Sequence, residues 1–61
     1  MYRLKFKDAN GREAERVFEN EIDALTYVRD QRSHFEAISL THPNGAVVDA
    51  KSIGNLVRGM G

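Results

Sequence analysis

Two Asn-Gly dipeptides, Asn10-Gly11 and Asn44-Gly45, limit the possible folds of this sequence more than any other feature. Each dipeptide separates two runs in which large apolar and polar residues alternate, a pattern typical of half-buried β-strands. Asn-Gly between such runs is a strong local signal for a β-hairpin. The sequence therefore predicts two hairpins, with strands over residues 2–7, 12–18, 35–41 and 46–50.

The loop length of the first hairpin follows from the pairs that it creates. A two-residue loop would place Phe6 opposite Glu15. A three-residue loop over residues 9–11 gives the pairs Lys5–Glu15, Lys7–Glu13, Phe6–Ala14 and Tyr2–Phe18. Matched cross-strand pairs contribute about 0.2–1 kcal/mol each, so we expect the three-residue loop, with Gly11 in the left-handed region. Leu4 opposite Arg16 is the one unfavourable pair in this register.

The second hairpin is treated in the same way. A three-residue loop, Pro43-Asn44-Gly45, pairs Leu40 with Val48 and Ile38 with Ala50. A two-residue loop would instead place Leu40 opposite a carboxylate. Because Pro43 then occupies the first central turn position, which suits its fixed φ, we expect the three-residue loop here too.

A helix is predicted after each hairpin. Asn20 is a favourable N-cap for the first, over residues 21–32, whose apolar stripe comprises Ile22, Ala24, Leu25 and Val28. We expect Ser52 to cap a short second helix, in which apolar residues follow helical spacing at Ile53, Leu56, Val57 and Met60. Gly59 and Gly61 favour a frayed end.

These elements predict an α+β fold in the order ββαββα, a four-stranded, mainly antiparallel sheet with both helices packed on one face. We expect residues 1–61 to form a single domain of two ββα units, about 1–33 and 34–61. The predicted core comprises Tyr2, Leu4, Phe6, Phe18, Ile22, Leu25, Val28, Phe35, Ile38, Leu40, Val48, Ile53, Leu56 and Val57.

Composition excludes several classes of function. Without cysteine, the 61 residues can form neither a disulfide scaffold nor a thiolate metal site. The formal net charge of zero argues against nucleic-acid binding through bulk charge, and no apolar run approaches the ~20 residues of a membrane span. Residues 1–7 lack the apolar stretch of a signal peptide, so we expect a cytoplasmic protein with no membrane partner. A domain this small has little room for a catalytic pocket, and we expect no enzymatic activity and no cofactor.

The two histidines do not suggest a shared metal site. His34 and His42 flank the third predicted strand, roughly 25 Å apart at ~3.3 Å per residue. However, Arg29, Arg32, Ser33 and His34, followed by a strand and a Pro-Asn-Gly turn, resemble the corresponding features of HicA-type mRNA-cleaving toxins over residues 29–61. In that family the histidine is the catalytic base on a small fold like that of double-stranded-RNA-binding domains. The resemblance implies RNA binding or cleavage by His34 with Arg29 and Arg32. The family has glycine where this chain has Arg32, and it begins with a helix.

One face of the predicted sheet lies opposite both helices, and nothing in the chain covers it. Its basic row on the first strand lies beside an acidic row on the second, and its other end is small and partly apolar. We expect partner binding by this face, through Arg3, Lys5, Lys7, Glu13, Glu15, Val17, Ser39, Thr41, Val47 and Asp49, with Ala37 also outward. Sheet faces and edges are both established modes of protein docking.

Three hypotheses for function follow. The leading one is a non-enzymatic protein-interaction module that occupies a surface of a partner, or of a second copy as a homodimer. In size and layout the chain resembles small inhibitor proteins that phages and mobile elements encode against host machinery, such as anti-CRISPR and polymerase-inhibiting proteins. The alternatives are the RNA-binding or RNA-cleaving protein described above and a structural or designed mini-domain without a partner.

Overall fold

The computed structural model describes residues 1–60 and has the predicted ββαββα order. Its elements are β1 (Tyr2–Asp8), β2 (Glu13–Phe18), α1 (Glu21–Gln31), β3 (Phe35–Thr41), β4 (Val47–Asp49) and α2 (Ala50–Gly59). All three strand pairings are antiparallel, in the sheet order β2-β1-β3-β4. The predicted α+β class is confirmed, and β1 joins the two hairpins by pairing with β3. Within residues 1–60, no helix combines the length and apolar character needed to cross a membrane.

The first hairpin has the predicted register and loop. All four predicted pairs are present, and the amide of Gly11 donates to the carbonyl of Asp8 at 3.0 Å. Gly11 has a φ of +82°, which favours glycine. The Asp8 carboxylate accepts hydrogen bonds from the amides of Asn10 and Arg12 at 2.9 and 3.0 Å, so the loop is held from within.

The second hairpin also closes with three residues, but its second strand, β4, is shorter than the predicted 46–50. Leu40 pairs with Val48 as predicted, and Gly45 has a φ of +91°. The predicted pair of Ile38 with Ala50 is wrong because β4 ends at Asp49 and Ala50 begins α2.

Of the two predicted helix caps, one is confirmed and the other is wrong. Asn20 caps α1 as predicted, and its side chain accepts from the Asp23 amide at 3.0 Å. The prediction that Ser52 caps α2 is wrong. The cap is Asp49, whose carboxylate accepts from the Ser52 amide at 2.8 Å, so α2 begins earlier than predicted. Gly61, expected with Gly59 at a frayed end, lies outside the described residues.

The core lies between the sheet and the helices. Its buried residues are Leu4, Ala24, Leu25, Val28, Leu40, Ile53 and Val57, with further apolar residues packed around them. Two predicted core residues are exposed, Ile22 at 56% and Leu56 at 42%. At about 100° per residue the buried face of α1 centres on Ala24 and Val28, so Ile22 falls outside it. Tyr27 packs against the core instead.

A bulge in β3 changes which residues face the helices. The β1–β3 register shifts by one residue between Lys5–Ser39 and Phe6–Ala37, leaving Ile38 without an opposite residue. Ile38 is half-buried but lies outside the core cluster, so its placement in the core was wrong. Ala37 packs against the core rather than facing outward. The shift also allows Phe35 to stack on Phe6, with ring centroids 4.5 Å apart.

Candidate interaction surface

The sheet face opposite the helices, here called the open face, carries the outward side chains of all four strands. The strand pairing places Val17, Arg3, Thr41 and Val47 in one row across it. The next row contains Glu15, Lys5, Ser39 and Asp49, and the third contains Glu13, Lys7 and Glu36. The structure therefore brings all ten predicted partner-binding residues to one face of the sheet.

Ion pairs on the open face run diagonally rather than straight across. The Nε of Arg3 lies 3.5 Å from Oε2 of Glu15, and the Nζ of Lys5 lies 3.1 Å from Oε1 of Glu13. The sequence predicted the pairs Lys5–Glu15 and Lys7–Glu13. The residues of each of these pairs do lie opposite one another in the backbone register. Because all four ion-paired side chains are largely exposed, each pair contributes at most about 1 kcal/mol and can exchange for a partner's groups at little cost.

The basic row on β1 has acidic neighbours on both sides. Glu13 and Glu15 lie on β2, and Glu36 lies opposite Lys7 on β3. The sequence alone does not place Glu36 on this face, because local patterns do not give the β1–β3 pairing. This alternation of charges favours binding to a protein surface that also carries both signs of charge, rather than binding to a polyanion.

The other end of the open face, here called the apolar end, carries an exposed valine at each edge of the sheet, with Arg3 and Thr41 between them. Val17 and Val47 are 49% and 64% exposed, and Met1 is also exposed. Met1 and Val17 border a shallow depression of about 410 Å³, together with Arg3, Thr41, His42, Pro43 and Gly45. If the alternation of β1 is continued back by one residue from Tyr2, it predicts that Met1 lies on the open face. Exposed apolar side chains grouped beside polar ones are typical of protein-docking sites.

Asp49 differs from the other predicted binding residues. Its carboxylate caps α2, and hydrogen bonds from the backbone and side chain of Ser52 lower the pKa of Asp49 below its ordinary value of 3.8. The negative charge is therefore directed at the helix start, where the helix dipole favours it. Asp49 therefore stabilises the junction between β4 and α2, and its carboxylate is not free on the open face.

The residues of the proposed RNA site each have their own local surroundings. His34 is exposed in the α1–β3 connection, and its amide donates to the Gln31 carbonyl at 2.8 Å. The Nε of Arg29 bonds to Asp30 at 3.3 Å, while Arg32 borders a separate cleft of about 370 Å³ between the helices and β3. His42, at the opposite end of β3, lies with its Nε2 3.3 Å from Oε2 of Glu21.

Metal-ligating side chains are dispersed in the same way. Residues 1–60 contain no group of three or more histidine or acidic side chains placed to hold a metal ion. In comparisons with known proteins, the chain matches no family model, no curated protein and no solved structure. The candidate site therefore rests on the structure of this chain and not on a related protein.

Proposed function

We propose that this protein is a non-enzymatic interaction module whose open face occupies a surface on a larger protein. The observation that supports this most directly is the adjacency of two exposed apolar side chains, Met1 and Val17, beside weakly held ion pairs on one uncovered sheet face. An apolar patch that excludes water, bordered by charges that select the partner, is the usual composition of a docking surface.

The dimensions of the face indicate how much of the partner it covers. Four strands ~4.8 Å apart and up to seven residues long at ~3.3 Å per residue give about 400 Å² of flat area, half of the ~800 Å² that each partner buries in a standard interface. The contact therefore includes the rim, and Met1 and the β3–β4 loop extend it at the apolar end.

We further propose that the partner belongs to host machinery and that binding inhibits it. The support for this is the resemblance in size and ββαββα layout to small phage and mobile-element inhibitors, anti-CRISPR and polymerase-inhibiting proteins among them. A module of this kind acts by covering a functional surface of its target, so it needs no pocket of its own.

Two matched substitutions test the open face. Val17→Lys places a charge in its apolar end, whereas Ile22→Lys places the same charge at an exposed isoleucine on α1. Once a protein partner has been identified and purified, its affinity can be measured by isothermal titration calorimetry. We expect this partner to bind the wild type and Ile22→Lys with equal affinity. Val17→Lys should weaken binding by at least tenfold. Equal loss in both variants, or loss in Ile22→Lys alone, would refute the proposal.

The RNA alternative predicts a different pattern. Recovery of RNA that is released at moderate salt, with loss on His34→Ala and no effect of exchanging the charges of Lys5 and Glu15, would assign the function to the α1–β3 connection. It would also overturn the role proposed for the open face.

A further inference from the structure

The outer edge of β4 has free backbone groups that are suited to strand pairing. The His42 amide donates to the Ala46 carbonyl at 2.8 Å, and hydrogen-bonded pairs alternate along an antiparallel ladder, so Leu40–Val48 is the next bonded pair. The amide and carbonyl of Val47 therefore point away from β3, as does the amide of Asp49. Within the sheet β4 is an edge strand, so these groups have no neighbouring strand.

The two edges of the sheet differ in how they are protected. At the β2 edge, charged side chains occur at Glu13, Glu15 and Arg16, and charges on an edge strand oppose pairing with another chain. β4 contains two valines and Asp49, whose carboxylate is already used to cap α2. β4 is protected against pairing chiefly by its shortness, since it has three residues.

A groove beside β4 adds apolar surface at the same edge. It has a volume of about 560 Å³ and lies between β4 and α2, lined by Val47, Val48, Asp49, Ser52, Asn55 and Leu56. The exposure of Leu56 arises at this groove, on the side of α2 that faces beyond the sheet edge. Backbone donors and an apolar groove side by side are the two components of strand-addition sites.

We propose that a second copy of this chain pairs with the β4 edge in antiparallel orientation, giving a two-fold dimer with a continuous eight-stranded sheet. In this dimer Val47 of one copy exchanges both N–H···O=C bonds with Val47 of the other. We centre the pairing on Val47 because the carbonyl of Asp49, as the helix cap residue, already accepts the first bond of α2. This pairing uses the outward backbone groups of β4, whose Val47 side chain lies on the open face, and it does not rest on the function proposed for that face.

Three properties favour a second copy over an unrelated strand. A two-fold contact places the same surface on both sides, so each Leu56 meets apolar groove from the other copy. The chain has a formal net charge of zero, so two copies do not repel one another through net charge. The spacing of the two copies of α2 is also compatible with close packing. If α2 lies midway over β3 and β4, and strands are ~4.8 Å apart, the two copies of α2 lie ~10 Å apart, close to the packing distance of helices.

Hydrogen exchange of the purified chain tests the pairing at single residues. In a monomer the Val47 amide is exposed to solvent, whereas the Val48 amide is bonded to β3. We expect exchange at Val47 to slow at least tenfold as concentration rises from about 10 µM to about 1 mM, while exchange at Val48 changes little. Light scattering should show the mass approaching twice that of the single chain over the same range.

Val47→Pro tests the hydrogen bonds directly, because the donor that it removes points outward from an edge strand, where proline is tolerated. We expect it to abolish the mass increase, and Leu56→Lys to do the same by charging the groove. Val17→Lys, on the opposite edge of the sheet, is the matched control and should dimerise as the wild type does. If circular dichroism shows that Val47→Pro is unfolded, Leu56→Lys decides.

Two results would overturn the proposal. One is a monomer throughout the concentration range. The other is a dimer in which exchange at Val47 does not depend on concentration, or that Leu56→Lys leaves intact. Protection of Val47 that appears only when a different protein is added would assign this edge to that protein and not to a second copy.

Discussion

The guanidinium carbon of Arg16 lies 4.7 Å from the centroid of the Tyr27 ring, so a strand residue with a positive charge packs on an aromatic ring of α1. Arg16 also lies 5.9 Å from the centroid of Phe18. This contact explains how the pair of Leu4 with Arg16 is tolerated on the helix side of the sheet. The aliphatic part of an arginine side chain covers apolar surface while its charge stays at the edge.

Removal of the Arg16–Tyr27 contact should destabilise the fold measurably. An exposed cation–π contact contributes about 0.5–1 kcal/mol, so we expect Arg16→Ala to lower the free energy of unfolding by about this amount or more. A double-mutant cycle with Tyr27→Leu in urea should show coupling of similar size. Arg12→Ala, at an exposed arginine beside the loop, is the control and should have an effect below 0.5 kcal/mol. Absence of coupling would show that the contact contributes nothing.

The diagonal ion pairs predict which charges are coupled. Lys5 should couple with Glu13, 3.1 Å from its Nζ, by about 0.2–1 kcal/mol, and less with Glu15, which lies directly opposite in the backbone register. Double-mutant cycles to alanine, measured by thermal unfolding at low salt, distinguish the two. Stronger coupling to Glu15 would favour the straight pairs expected from the sequence. Added salt should reduce either coupling.

The cap of α2 should make part of the stability depend on pH. Because hydrogen bonds to Ser52 lower the pKa of Asp49 in the folded state, its contribution is present above the ordinary value of 3.8 and is lost as the pH falls through the lowered pKa. The melting-temperature difference between wild type and Asp49→Ala should therefore be constant from about pH 7 to pH 5 and shrink below about pH 4.

The cap of α1 supplies a control that does not titrate. Asn20→Ala should cost about 1 kcal/mol, with little change between pH 7 and pH 3, because the amide side chain stays neutral. Asp49→Asn should retain part of the cap without the pH dependence. A difference between wild type and Asp49→Ala that persists unchanged at pH 2 would contradict the assignment.

One substitution made at three isoleucines tests the bulge in β3. Ile53 is fully buried, so Ile53→Val should cost about 0.5–1.5 kcal/mol. Ile38→Val should cost clearly less, because the bulge keeps this side chain out of the core, and Ile22→Val should cost close to nothing. Urea unfolding of the three variants gives the ranking. A cost at Ile38 equal to that at Ile53 would place Ile38 in the core after all.

The sequence by itself determined the parts of this protein that depend on near neighbours. Each hairpin loop joins adjacent strands, so the pairing of charges and apolar residues across it fixed both the loop length and the register. The cap of α1 was equally local, since Asn20 bonds to an amide three residues away. Alternation along these strands was enough to place the predicted binding residues on one face.

Only the tertiary structure decided how β1 meets β3. Residues 9–34 separate these strands, so no turn fixes their register, and the packing of Phe35 on Phe6 accompanies a bulge that Ile38 occupies. The same pairing brought Glu36 beside Lys7 and left β4 at the edge. Which side chains of α1 are buried likewise depended on the residues that the sheet places against this helix. Tyr27 therefore packs inward and Ile22 does not. Contacts between residues distant in sequence depend on how the whole core packs, and local patterns do not specify that packing.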